Sequence, residues 1–150
     1  MEKNLTKSLE EILKIHIDSP AQLSPLVLAY IGDSIYDLVI KTYLLETKGN
    51  MPVNKLNHYA SHLLKAVTQS AMMEQIEPTL SKEEEAVYKR GRNAKSYTCA
   101  KNASVAEYRK ATGFEALLGW LYLKGEFDRM MEIIKMGVDS LTLSRKSPAF

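Results

Sequence analysis

A chain of 150 residues, 45% hydrophobic and 25% charged, is long enough for one globular domain with its own core, and this mixture excludes a disordered protein. The net charge of +2 is too small to indicate a nucleic-acid partner, and a single cysteine, Cys99, excludes an internal disulfide and a cysteine-based zinc site. The charged, amphipathic N-terminus and the lack of a long apolar run predict a cytoplasmic protein without a membrane span.

Apolar residues recur at helical spacing along the chain, and no alternating strand pattern is found, which predicts an all-α fold. A first helix is expected over residues 5–17. Ser24 before Pro25 is typical of an N-cap, so a second helix begins there and continues to about residue 46. Pro52 starts a third helix, which runs or breaks toward residues 77–78.

Two capping-box patterns predict the later helices. Ser81 opens a helix over residues 82–89 that Gly91 closes, and Ser104 opens a helix that ends near residue 124. A last helix is expected over residues 126–141, followed by a frayed tail at 142–150. The whole chain, residues 1–150, is thus predicted to be one domain of about six or seven helices.

Positive charge is concentrated in one segment. Residues 89–110 carry seven lysines and arginines against one acid, a net +6, so the rest of the chain is net −4. Such a segment would turn one side of the molecule toward a polyanion. The segment includes a long polar loop, residues 91–103, of a length that often marks function.

The second helix contains the stretch LAYIGDSIYDL, in which Gly32 and Asp33 interrupt an apolar run. Periodicity alone favours a solvated stripe in which Asp37 pairs with Lys41, and Asp33 could belong to that stripe. Gly32 fits this interpretation poorly, because a glycine inside a helix costs about 1 kcal/mol relative to alanine. We therefore expect another backbone to approach Gly32.

A later helix, ATGFEALLGWLYL, repeats the arrangement, with Glu115 inside an apolar run and Gly119 four residues on, along the same face. Two helices that each carry a carboxylate beside a glycine could cross closely and bring Asp33 and Glu115 together. Oxygen ligands suit Mg²⁺, with Mn²⁺ a possible substitute, and such an ion could activate water and neutralise charge on a phosphodiester.

The third helix carries a basic stripe of Lys55, His58, His62 and Lys65, spaced three or four residues apart. The two histidines have the spacing of a zinc pair but lack the glutamate of the HExxH motif, so a solvated or nucleic-acid-facing stripe is favoured. The basic segment offers further phosphate and sugar contacts, in Lys89, Arg90, Arg92, Asn93, Lys95, Lys101 and Arg109. An exposed basic loop without a ligand is the alternative.

LAYIGDSIYDL resembles the signature helix of the ribonuclease III catalytic domain, and FEALLGWLYL resembles the later FEALIGA-type helix of that family. Length, the LAYIGD wording and the run KRGRNAKS most resemble its mini-ribonuclease III branch, which lacks the usual double-stranded-RNA-binding domain. The resemblance covers residues 23–141. It implies an all-helical homodimer that hydrolyses double-stranded RNA with magnesium, leaving 5′-phosphate and 3′-hydroxyl ends.

By position, the resemblance implies that Asp33 and Glu115 are the metal-binding catalytic carboxylates. The family pattern has further acids where this chain has Leu26, Ala29 and Thr112, so the site is poorer in acids and the number of ions it holds stays open. The branch is associated with maturing the ends of the 23S ribosomal RNA precursor, helped by a large-subunit ribosomal protein. A non-catalytic RNA-binding or ribosome-associated protein on the same scaffold is the alternative.

Overall fold

A computed structural model describes residues 4–95 and 103–144, with side chains as far as Leu141, and every regular element in those ranges is helical. The helices, in chain order, are α1 (Leu5–Leu13), α2 (Pro25–Lys48), α3 (Val53–Leu64), α4 (Ala66–Ile76), α5 (Lys82–Arg92), α6 (Val105–Leu123) and α7 (Phe127–Ser144). Short 3₁₀ turns, Pro20–Gln22 and Glu77–Thr79, precede α2 and α5. The predicted all-α fold is confirmed. None of these described helices has the length and apolarity that a membrane span requires.

Helix starts agree with the predictions where the sequence supplies a cap. The Ser24 hydroxyl accepts a hydrogen bond from the first turn of α2, and both predicted capping boxes, at Ser81 and Ser104, are present. The predicted end of the first helix is wrong, because Lys14 adopts a left-handed conformation with φ of 58° and ends α1. Helix α7 continues to Ser144, and the rest of the predicted frayed tail lies outside the described residues.

Gly91 does not close α5 as predicted but lies inside the helix, which continues to Arg92. A Cβ on Gly91 would lie 2.8 Å from the Ala116 Cβ and 2.9 Å from the Gly113 Cα, so glycine allows α5 to pack directly on α6. Helix α6 is the central element of the domain, buried along most of its length between α2, α4 and α5.

The predicted third helix breaks at Lys65, whose extended backbone (φ −72°, ψ 153°) separates α3 from α4. The carbonyls that end α3 are satisfied from different parts of the chain, as helix ends require. Ser61 O accepts from Lys65 N, His62 O from Thr68 Oγ1, Leu63 O from Tyr36 Oη and Leu64 O from Gln69 Nε2. This elbow is therefore tied to both α2 and α4.

A half-buried ion pair fixes the start of α7 against α5. The Arg129 Nε and Nη2 donate to the two carboxylate oxygens of Glu84 at 2.8 and 2.9 Å, and Nη2 also donates to Thr79 O. Hydrogen bonding to Arg129 is the main cause that holds the pKa of Glu84 below its usual range. The pair thus joins three segments in a place with little solvent.

We expect Arg129→Ala to lower the free energy of unfolding by about 3 kcal/mol, because it leaves a buried carboxylate without its partner. Since the folded pKa of Glu84 is depressed, the pair's contribution is present above the unfolded pKa and is lost as pH falls through the folded value. Urea unfolding at neutral and acidic pH measures both effects. Lys135→Ala, which removes an exposed pair with Asp139 on α7, is the control and should cost less than about 0.5 kcal/mol.

Candidate active site

Helices α2 and α6 cross at two glycines. A Cβ on Gly32 would lie 1.8 Å from the Glu115 carbonyl oxygen, and a Cβ on Gly119 would lie 2.0 Å from the Leu28 carbonyl oxygen. Only glycine at both positions allows the two backbones to come this close. The expected close crossing of the two glycine-bearing helices is confirmed.

The crossing places Asp33 close enough to Glu115 for its carboxyl group to act on the pKa of Glu115. Asp33 is exposed, whereas Glu115 lies largely buried beneath it. Burial, followed by the hydrogen bond and the charge of Asp33, raises the pKa of Glu115 to about 9. At neutral pH and without a cation, the Glu115 carboxyl group is therefore protonated.

The positions where the family pattern has further acids contribute none here. Ala29 is buried in the core, and Leu26 is a partly exposed apolar side chain. Thr112 is buried, and its hydroxyl donates to Tyr108 O at 3.0 Å, within its own helix. Across residues 4–95 and 103–144, no group of three or more histidines, cysteines or acids is placed to hold a metal.

Two buried polar side chains lie near the carboxyl pair, and neither of them was predicted from the sequence. Gln69 of α4 partly opposes the rise in the pKa of Glu115, and burial, together with the nearby Glu115 charge, raises the pKa of Tyr36 above its usual range. Tyr36 lies among the apolar residues of α2, so nothing in the surrounding sequence indicates that it belongs to the site. For Gln69 a signal existed, since the run of Thr68, Gln69 and Ser70 places three polar residues inside a buried helix.

The donor set fits a hard divalent cation. Glu115 is protonated beside Asp33 when no cation is present, and a cation with oxygen ligands would favour its ionised form. Mg²⁺ needs only one or two protein carboxylates. Asp33 and Glu115 are therefore the residues that would hold it.

The basic stripe of α3 runs along that helix to the elbow before α4. His58 and His62 stand edge to face with their Nε2 atoms 3.3 Å apart, and Lys55 is exposed. Lys65 lies at the elbow, directly after Leu64, whose carbonyl oxygen accepts the hydrogen bond from Gln69.

The cations at the end of α5 are partly engaged within the molecule. Lys89 pairs with Glu85 at 2.6 Å, and Arg90 donates to Ala21 O and Leu23 O, which fixes the segment before α2. Arg92 lies over the Tyr88 ring and donates to Asn93, and Lys95 is exposed just after α5. Arg109, also exposed, lies on α6. Lys101, Cys99 and most of the predicted basic loop lie outside the described residues. Asp37 pairs with Lys41 at 3.0 Å, which confirms the predicted stripe partner.

Comparisons with known proteins agree with the two motifs. The family described as Ribonuclease III domain matches residues 26–126. A protein of Clostridium tetani (strain Massachusetts / E88) named Mini-ribonuclease 3 is 48% identical over 79% of this chain and 78% of its own. Another Mini-ribonuclease 3, of Thermoanaerobacter sp. (strain X514), is 45% identical over 92% of this chain and 96% of its own. The X-ray structure of a Fusobacterium nucleatum protein superposes with a TM-score of 0.71 at 30% identity, covering 79% of this chain and 94% of that one.

Proposed function

This chain belongs to the ribonuclease III family and is an endoribonuclease of that type, and we propose that Asp33 and Glu115 are its catalytic, Mg²⁺-binding pair. The observation that carries the proposal is the meeting of these two carboxylates at the glycine crossing of α2 and α6. The names of the relatives favour an enzyme over the non-catalytic alternative.

When bound, Mg²⁺ would stabilise negative charge on the phosphodiester and make water a better nucleophile. The exposed Asp33 occupies the side of the site from which a duplex can approach, and Glu115 lies behind it in the protein. The surroundings of the buried Glu115 have a low dielectric constant, which strengthens charge interactions at this point. Mn²⁺, which takes similar oxygen ligands, is the expected substitute.

The proposed substrate is a duplex of the 23S ribosomal RNA precursor, cleaved to 5′-phosphate and 3′-hydroxyl ends, with a large-subunit ribosomal protein bound to that RNA as helper. This finer assignment is supported by the likeness to Mini-ribonuclease 3 proteins. Duplex RNA is recognised mainly through its phosphates, 2′-hydroxyls and shape, which suits the basic stripe of α3 and the cations at the end of α5.

We also propose that the protein acts as a homodimer through α2. Val27, Tyr30 and Leu38 are 47%, 77% and 56% exposed and lie on one face of that helix. Such an exposed apolar stripe is typical of an interaction surface. It adjoins Asp33, so a second subunit would lie beside the first carboxyl pair.

The test of the proposal is a cleavage assay on a structured RNA duplex and on its separated single strands, with Mg²⁺, with Mn²⁺ and with a chelator. We expect cut duplex only when a divalent cation is present, and 5′-phosphate on the new ends. Duplex binding without cleavage under every metal and salt condition would instead support the non-catalytic alternative.

We expect Lys65→Ala to weaken duplex binding and to reduce the slope of log affinity against log salt concentration by about one, as loss of one phosphate contact does. Filter binding with catalytically inactive protein over a range of salt concentrations measures both. Lys135→Ala on α7 is the control. Equal salt slopes for wild type and Lys65→Ala would remove Lys65 from the RNA-binding surface.

A further inference from the structure

Two histidines one turn apart on α3 face each other with their ring nitrogens. The Nε2 atoms of His58 and His62 are 3.3 Å apart, closer than the ring centroids, which are separated by 4.7 Å. The two ring planes are perpendicular. Each ring therefore directs its Nε2 toward the other, and solvent reaches the pair because His58 is exposed.

This separation of the two nitrogens fits a tetrahedral zinc ion. Zinc binds imidazole nitrogen at about 2.0–2.1 Å, so two nitrogens on one tetrahedral ion lie about 3.3–3.4 Å apart. A hydrogen bond between the rings would use one N–H and one lone pair, whereas a metal uses the lone pairs of two neutral rings. The glutamate that the HExxH motif requires acts in the reaction of a metalloprotease, so its absence does not weigh against binding of the ion.

The backbone beneath both rings is fixed by side-chain hydrogen bonds. Ser61 Oγ donates to the His58 carbonyl oxygen at 2.7 Å, and Thr68 Oγ1 of α4 donates to that of His62. The second bond ties the pair to the elbow at which α3 ends. Ligands on such a supported helix need little rearrangement to bind an ion.

The charges around the pair favour a transition metal over Mg²⁺. Lys55 and Lys65 lie three residues before and after the two histidines, and residues 53–65 include no aspartate or glutamate. An ion held mainly by charge is therefore disfavoured, whereas Zn²⁺ suits imidazole ligands. The part of the chain that the structure describes supplies no group of three metal-ligating side chains, so water would complete the coordination.

We propose that His58 and His62 form a binding site for a divalent transition-metal ion such as Zn²⁺, with ligands other than Asp33 and Glu115. Both Nε2 atoms would bind the ion, and two water molecules would complete its tetrahedron. Because Mg²⁺ prefers oxygen ligands, the histidine pair should keep its Zn²⁺ in an excess of Mg²⁺.

The test is a calorimetric titration of the untagged, RNA-free chain with Zn²⁺ in excess Mg²⁺. Loss of a ligand's hydrogen-bond partner alone costs about 10- to 100-fold in metal affinity, so His58→Ala and His62→Ala should each weaken Zn²⁺ binding by about tenfold or more. Nitrogen NMR of the wild type should show that Zn²⁺ shifts the signals of both Nε2 atoms. His58→Gln should weaken binding as well and serves if His58→Ala does not fold.

His16→Ala is the matched control, because it removes an exposed histidine whose ring lies between Glu10 and Asp18. It should bind Zn²⁺ as the wild type does. Wild-type Zn²⁺ affinity in folded His58→Ala, or an equal loss of affinity in His16→Ala, would overturn the proposal. Loss of Zn²⁺ binding in Asp33→Asn but not in His58→Ala would place the ion at the carboxyl pair and would overturn it too.

Discussion

Replacing Glu115 by glutamine is expected to abolish cleavage of duplex RNA and, at the same time, to stabilise the metal-free protein. Loss of a metal-holding carboxylate removes several kcal/mol of transition-state stabilisation, which is about 10³-fold or more in rate. The gain in stability arises because Glu115 is buried against Asp33, and a neutral amide can lie there without repulsion.

The gain should depend on pH with a definite sign. The folded pKa of Glu115, about 9, lies above its unfolded value, so the folded state takes up a proton and loses stability as pH rises between the two values. In this window the free energy of unfolding falls by about 1.4 kcal/mol for each pH unit. The upper limit of this loss at neutral pH is a few kcal/mol. Glu115→Gln should therefore exceed wild type in melting temperature at pH 7–8 and lose that advantage near pH 4–5.

Thermal melts over this pH range, without metal and with Mg²⁺, measure the effect. Mg²⁺ should raise the melting temperature of wild type but not of Glu115→Gln. Asp33→Asn should lose activity to the same extent, but its melting temperature should not rise comparably, because Asp33 is exposed. Asp37→Asn, one turn further along α2, is the matched control and should cleave at the wild-type rate. Full activity in folded Glu115→Gln would contradict the proposed site.

The starts of the helices could be predicted because their causes are local. Ser24, Ser81 and Ser104 each bond to backbone three residues away, so the cap and the group that it satisfies lie in one short stretch of sequence. The end of α1 was not predictable in this way, because no glycine or proline marks Lys14 as a left-handed residue.

The break at Lys65 has a cause that is not local. The carbonyls exposed by the break are satisfied by Tyr36, which is 27 residues from Leu63, and by side chains of the following helix. Gly91 was interpreted as a helix end for a similar reason, because its role is to admit α6 and not to end α5. Both errors come from tertiary contacts that override local signals.

The candidate site likewise has a part that local sequence predicts and a part that depends on tertiary contacts. Glycine beside carboxylate in two helices predicted the crossing, and resemblance to ribonuclease III supplied the roles of Asp33 and Glu115. Gln69 acts on the pKa of Glu115 from a third helix, α4, and its place there depends on the elbow, which no spacing in the sequence encodes. The positions of Gln69 and Tyr36 relative to the two carboxyl groups are therefore the part that only the structure identifies.

Gly32→Ala is expected to destabilise the protein by about 3 kcal/mol or more, at the upper end of the cost of overpacking a core. The added Cβ would lie 1.8 Å from the Glu115 carbonyl oxygen and 2.9 Å from the Gly119 nitrogen. Both atoms belong to the backbone of a helix, so α2 and α6 would have to move apart. Urea unfolding measures the loss, and any folded fraction should cleave duplex RNA poorly, because the same movement separates Asp33 from Glu115.

Gly137→Ala on α7 is the matched control, since it also adds a Cβ to a buried glycine inside a helix. There the nearest atom is the Met72 Cε, at 2.3 Å, the end of a flexible side chain that can turn aside. Alanine also gains about 1 kcal/mol in helix propensity, so the net change should be small. A similar loss in both variants would mean that burial of glycine, and not the approach of two backbones, sets the cost. A small loss in Gly32→Ala with full cleavage would show that the active enzyme does not need the close crossing.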